Sequence, residues 1–101
     1  MIFLVPPYYD VHFVEAGKET EEQKEWSTPI WIKGGCMGCH RKWEDRGVKL
    51  GASLIGVGHE GLKNFVAGLC NVCVKRDTTD IRDISIATVH LVLNYSKKKA
   101  H

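Results

Sequence analysis

Two Cys-x-x-Cys pairs, Cys36-Met37-Gly38-Cys39 and Cys70-Asn71-Val72-Cys73, stand thirty residues apart in a chain of 101. A chain of that length has room for one compact domain. It buries only about 60–70% of the surface its unfolded form exposes, so its core is thin and a bound ion carries weight. Four cysteines fall well below the roughly 8–10% of a disulfide scaffold, and their grouping in close pairs favours ligation over cross-linking. The two-residue spacing lets both sulfurs of a pair turn to one ion, and four thiolates are enough to close a tetrahedral structural site. The expectation is a structural zinc ion held by Cys36, Cys39, Cys70 and Cys73.

Two other chemistries fit parts of these residues. Cys36-x-x-Cys39-His40 has the form of a c-type haem attachment site. That reading wants a second axial ligand such as Met or His; Met37 lies inside the motif and Met1 starts the chain, but His59 or His90 could serve. A redox pair would sit at the N-terminus of a helix in a βαβ unit, and neither pair has that pattern around it. Zinc alone uses both pairs together.

The run Met1-Ile2-Phe3-Leu4-Val5 has no basic flank and is cut short by Pro6-Pro7, so no secretory signal is read there. No stretch approaches the ~18–20 apolar residues of a membrane span. These features point to a soluble protein of the reducing cell interior, with no membrane contact, where disulfides do not persist. A net charge of +2 decides little by itself, but its distribution is uneven. Glu15, Glu19, Glu21, Glu22 and Glu25 dominate residues 15–25; Lys33, Arg41, Lys42, Arg46 and Lys49 dominate 33–49; and Lys97, Lys98 and Lys99 form a basic tail. Clustered cations are the footprint a polyanion such as DNA or RNA requires, whereas the bland reading is a solvated face.

Along the chain, β-branched and aromatic residues predict short strands over Ile2–Val5 and Val11–Glu15, separated by the proline pair. Thr20-Glu21-Glu22-Gln23 has the form of a capping box and predicts a short acidic helix to Trp26, ended by Ser27-Thr28-Pro29. Pro29–Lys33 reads as a strand leading to Gly34-Gly35, glycines that suit the tight backbone of a metal knuckle. Residues 47–58 read as a loose hairpin or bent strand. Leu62, Phe65, Val66, Leu69 and Cys73 recur at helical spacing and predict a helix over 60–74. The last segment fits either a helix capped by Asp80 or a strand, and its β-branched content favours a strand over 84–95.

With "LIGVGHE" between the pairs and "VAGLCNVCVKR" across the second, the chain resembles the zinc-framed HNH-type endonucleases, above all their recombination endonuclease VII branch. The likeness covers roughly residues 34–77. It implies a treble-clef or ββα-metal architecture of knuckle, hairpin and helix, with the helix moved towards 70–78. It further implies that His59 stands at the general base, which activates the water that attacks phosphorus, with Glu60 as an additional acidic residue. The sequence departs from the family at Gly58, where a metal-binding Asp stands, and at Val74, where Asn or His stands, so a catalytic cation would lose most of its ligands. The bland reading of His59 is an exposed turn residue beside Gly58 and Gly61. Trp31 and Trp43 flank the first pair and are read as covering the metal site in preference to stacking on bases.

Together these readings give a small α+β domain with a treble-clef-like four-cysteine zinc site. It divides into N-terminal strands and acidic segment (1–29), zinc-framed core (30–77), a strand or helix (78–96) and a basic tail (97–101). The expected function is binding or regulation with nucleic acid as partner, contacted by Arg41, Lys42, Lys75, Arg76, Lys97, Lys98 and Lys99. Two alternatives stand beside it. One is a metal-dependent HNH-like nuclease using His59 and Glu60; the other is a protein-interaction module that pairs an apolar strand, Ile2–Val5 or 84–95, with a protein partner.

Overall fold

Strand β1 (Ile2–Val5) alternates strictly, with Phe3 and Val5 turned inward and Ile2 and Leu4 outward. It pairs with β2 (Tyr9–Glu15), which is followed in the sheet by β3 (Leu50–Gly58) and β4 (Phe65–Cys70). The order β1-β2-β3-β4 makes a four-stranded antiparallel meander. The computed structural model describes residues 1–6, 8–26 and 34–99, with Trp26 and residues 95–99 described by backbone alone.

Register follows the burial pattern. Ile2 faces His12, Tyr9 faces Gly58, Ile55 faces Val66, and Leu50 faces Cys70 after an irregularity between Leu50 and Ala52. One face of the sheet therefore gathers Phe3, Val5, Tyr9, Val11, Leu54, Phe65, Ala67 and Leu69 into the main core. Val14, Ile55 and Val66 make a smaller cluster of their own. Each large side chain so buried contributes about 1.5–3 kcal/mol relative to exposure.

The main core is closed by α2 (Thr78–Lys99), through Ile81, Val89 and Val92. The expected strand over 84–95 is thus corrected to helix. Ser85 and Thr88 are buried with that face, and each hydroxyl donates to the carbonyl four residues back, at 2.8 Å to Ile81 and 2.8 Å to Ile84. Those hydroxyls are satisfied within the helix, so β-branched and polar residues can share its packed side. The helix starts earlier than an Asp80 cap would place it: Asp77 Oδ1 accepts from the Asp80 N–H at 2.9 Å. It also extends over residues 97–99, so the first three residues of the expected tail are helical.

The expected helix over 60–74, and its shifted form over 70–78, are also corrected. Residues 65–70 form β4, buried at every position, and Cys73–Lys75 form a single 3₁₀ turn before α2. A strand covered on both faces has no polar side, so its apolar spacing imitated a helix. The N-terminal expectations hold: both strands form, and Thr20 caps α1 (Glu21–Trp26) reciprocally with Gln23, at 2.9 and 3.1 Å. The expected strand Pro29–Lys33 lies outside the described residues, apart from its neighbours Gly34 and Gly35. Among the described residues, no helix is long and apolar enough to cross a membrane.

Candidate metal centre

The first cysteine pair lies in a tight knuckle. Cys36 N–H donates to the Arg41 carbonyl and His40 N–H to the Cys36 carbonyl, both at 2.9 Å. Two glycines are required by contact: a Cβ on Gly35 would collide with the Arg41 carbonyl, and one on Gly38 would lie 2.8 Å from Cys73 Sγ. His40 closes the turn with a φ of 65°, exposed to solvent. The second pair follows from the hairpin. Cys70 ends β4 and Cys73 enters the 3₁₀ turn, which carries the chain back beneath the knuckle.

The four sulfurs consequently converge. Their Sγ atoms all lie within 4.8 Å of one another, and Cys39 and Cys70 are 3.7 Å apart. Four thiolates at the usual metal–sulfur length of ~2.3 Å in a tetrahedron would stand ~3.8 Å apart, so the cluster fits one ion. All four cysteines are free thiols, and 3.7 Å is far beyond the ~2.05 Å of a disulfide. Cys36, Cys70 and Cys73 are buried, and Cys39 is half-buried. A closed set of four sulfurs leaves no position for water or substrate, which is the arrangement of a structural centre.

The surroundings favour negative charge at the sulfurs. Cys36 Sγ accepts from the N–H groups of Gly38 at 3.3 Å and Cys70 at 3.2 Å, and Cys70 Sγ accepts from Cys73 N–H at 3.5 Å. The Arg41 side chain donates to Cys39 and holds that thiol down at about 6. Burial pushes the Cys73 thiol up to about 12, against the Arg76 side chain that donates to it. Four thiolates around a divalent ion leave a net charge of about −2, which the two guanidiniums oppose. The sequence reading assigns both arginines to phosphate contact alone. Their second role follows from position, each lying two or three residues beyond its cysteine pair.

Trp43 is half-buried against the main core with its indole over Gly68 in β4. Trp31 lies outside the described residues. Arg41, Lys42, Lys75 and Arg76 are all exposed around the cysteine cluster, whereas the side chains of Lys97, Lys98 and Lys99 lie outside the described residues.

His59 and Glu60 are elsewhere. Leu50 faces Cys70 at one end of β3, and His59 follows its other end, about 25 Å away for a strand of this length. His59 Nε2 is 3.0 Å from Asp10 Oδ1, its N–H donates to the Tyr8 carbonyl at 2.9 Å, and Glu60 turns the chain with a φ of 48°. Asp10 as partner was not read from the sequence, because it comes from a strand forty-nine positions away. Among the described residues, the four cysteines are the one group of histidines, cysteines and carboxylates placed to hold an ion; His59, Glu60 and Asp10 do not make another.

No family model matches this chain, and comparison with curated proteins and with solved structures finds no match either.

Proposed function

We propose that the four cysteines hold a structural zinc ion and that the module so stabilised binds nucleic acid through the basic surface around it. The observation that carries the binding reading is the exposure of Arg41, Lys42, Lys75 and Arg76 beside a sulfur cluster that draws both chain segments to one end of the sheet. Zinc is favoured because a closed tetrahedral set of thiolates suits a d¹⁰ ion without geometric preference. The chain order of knuckle, β3–β4 hairpin, second pair and α2 supports a treble-clef reading of the core. Arg41 and Arg76 serve the sulfurs first, so Lys42 and Lys75 lead the phosphate contact there; Lys97, Lys98 and Lys99 end α2, roughly 30 Å along the helix from its start, and would reach phosphates only on a longer nucleic acid.

Anisotropy of labelled DNA and RNA oligonucleotides, titrated with the zinc-loaded protein, tests this. Four phosphate contacts predict a loss of affinity of roughly 50–150-fold between 50 and 200 mM salt. Lys42→Ala with Lys75→Ala should weaken binding evenly across sequences and reduce the salt slope by about two contacts. Salt-independent binding, or none, would reject the reading. Divalent-dependent nicking that disappears in His59→Ala at unchanged metal content would replace it with the nuclease alternative.

A further inference from the structure

The two edges of the sheet are finished differently. β4 is shielded by the knuckle: Met37 N–H donates to the Gly68 carbonyl at 2.9 Å, and Cys70 N–H to Cys36 Sγ at 3.2 Å. β1 has only β2 beside it, and its outer side carries no such cover among the described residues. Ile2 is 54% exposed and Leu4 66%. Proteins usually protect an edge of this kind with charge or proline, yet Ile2-Phe3-Leu4-Val5 contains neither.

The pairing with β2 shows which backbone groups of β1 stay open. Phe13 N–H donates to the Met1 carbonyl, and the register continues as Ile2 with His12 and Phe3 with Val11. In an antiparallel ladder the bonding positions alternate, so Met1, Phe3 and Val5 face β2. The N–H and C=O groups of Ile2 and Leu4 point away from the sheet.

We infer that β1 pairs with β1 of a second copy of this chain, antiparallel about a two-fold axis at Phe3, making one continuous eight-stranded sheet. In this register Ile2 lies opposite Leu4 of the second copy and Leu4 opposite its Ile2. The open groups of both residues then exchange hydrogen bonds reciprocally, four in all. The same register sets the exposed Ile2 and Leu4 side chains against each other across the join and keeps Phe3 and Val5 on the core side. A shift by one residue would lose both matches at once. The strand's lack of charge leaves no like charges opposed at the axis, and gives a charged peptide nothing to read. This inference is independent of the zinc and nucleic-acid readings, since the knuckle lies at the other edge.

Sedimentation equilibrium of the full metal-loaded chain, run as a concentration series without nucleic acid, reads the association directly. The expected result is reversible dimerisation, with the mass rising from 11.4 kDa to twice that value. Leu4→Lys and, separately, Ile2→Lys should each weaken the dimer at least tenfold by opposing charge to an apolar partner. Both side chains are exposed in the single chain, so circular dichroism and metal content should stay as in wild type. Leu4→Pro removes an N–H that β2 does not use, and should also weaken dimerisation. A monomer at every concentration would overturn the inference, as would a dimer that Leu4→Lys and Ile2→Lys leave unchanged. A monomer whose β1 captures an added extended apolar peptide would also overturn it and give the edge to a peptide.

Discussion

At one end of the β3–β4 hairpin, Leu50 faces Cys70 and four thiols converge; at the other, Tyr9 stacks edge-on against Phe65 with ring centres 5.1 Å apart. The far end is tied by ordinary means. Tyr9 Oη donates to the Lys63 carbonyl at 2.7 Å, Gly58 N–H donates to Asn64 Oδ1 at 2.9 Å, and His59 meets Asp10. Both ends carry buried side chains, but among the described residues only one gathers side chains that could hold an ion. Without a metal, burial keeps Cys73 protonated, and a cluster of thiols replaces what would otherwise be apolar core. On the proposed zinc reading, one small sheet is stabilised conditionally at one end and unconditionally at the other.

Removing the ion should have the largest effect. Chelation under reducing conditions is expected to cost about 4 kcal/mol or more, a fall in melting temperature of roughly 15–30 °C. Hydrogen exchange should accelerate first over residues 36–40 and 70–76, with Tyr9–Phe13 and Leu54–Gly58 protected longest. Uniform acceleration would mean that the ends are not independent.

Phe65→Ala attacks the other end and should cost about 3–5 kcal/mol by denaturant unfolding, while the folded fraction keeps its full metal content. Arg41→Ala and Arg76→Ala should each weaken metal affinity roughly 10–100-fold in competition with a chromophoric chelator, and at the same free metal concentration lower the melting temperature by roughly 6–20 °C, less than chelation does. The pH dependence has a definite sign. In metal-free protein, Cys39 falls from an ordinary value of 9.0 to about 6 through Arg41, so its contribution is complete above about pH 9 and lost as pH drops through about 6. At neutral pH, Cys39 should be the first thiol alkylated, and Arg41→Ala should remove that preference. Tyr9→Phe, which deletes only the hydroxyl that donates to Lys63, should cost about 1 kcal/mol.

How much of this was legible in the sequence depended on whether the cause was local. The cysteine pairs, the proline break after β1 and the Thr20–Gln23 capping box each act within a few residues and were readable as written. β4 was not, because Phe65–Cys70 is defined by pairing with Leu50–Gly56 and by cover on both faces, which erase its periodicity. α2 was obscured for the opposite reason. Ser85 and Thr88 occupy its core face while Leu91 is 49% exposed, so its hydrophobic pattern is blurred and tertiary packing outweighs the strand preference of its isoleucines and valines. The grouping of the four cysteines was visible from spacing, whereas the arginine donors and the Asp10 partner of His59 required coordinates.

Metal analysis with an absorption spectrum, both on one freshly purified sample, reads the four-thiolate centre without any intermediate step. A zinc-filled centre gives about one zinc ion per chain, no Soret band, and loss of the ion in Cys36→Ser and Cys73→Ser. A haem spectrum, or a folded protein with no bound metal and unchanged stability in chelator, would contradict it.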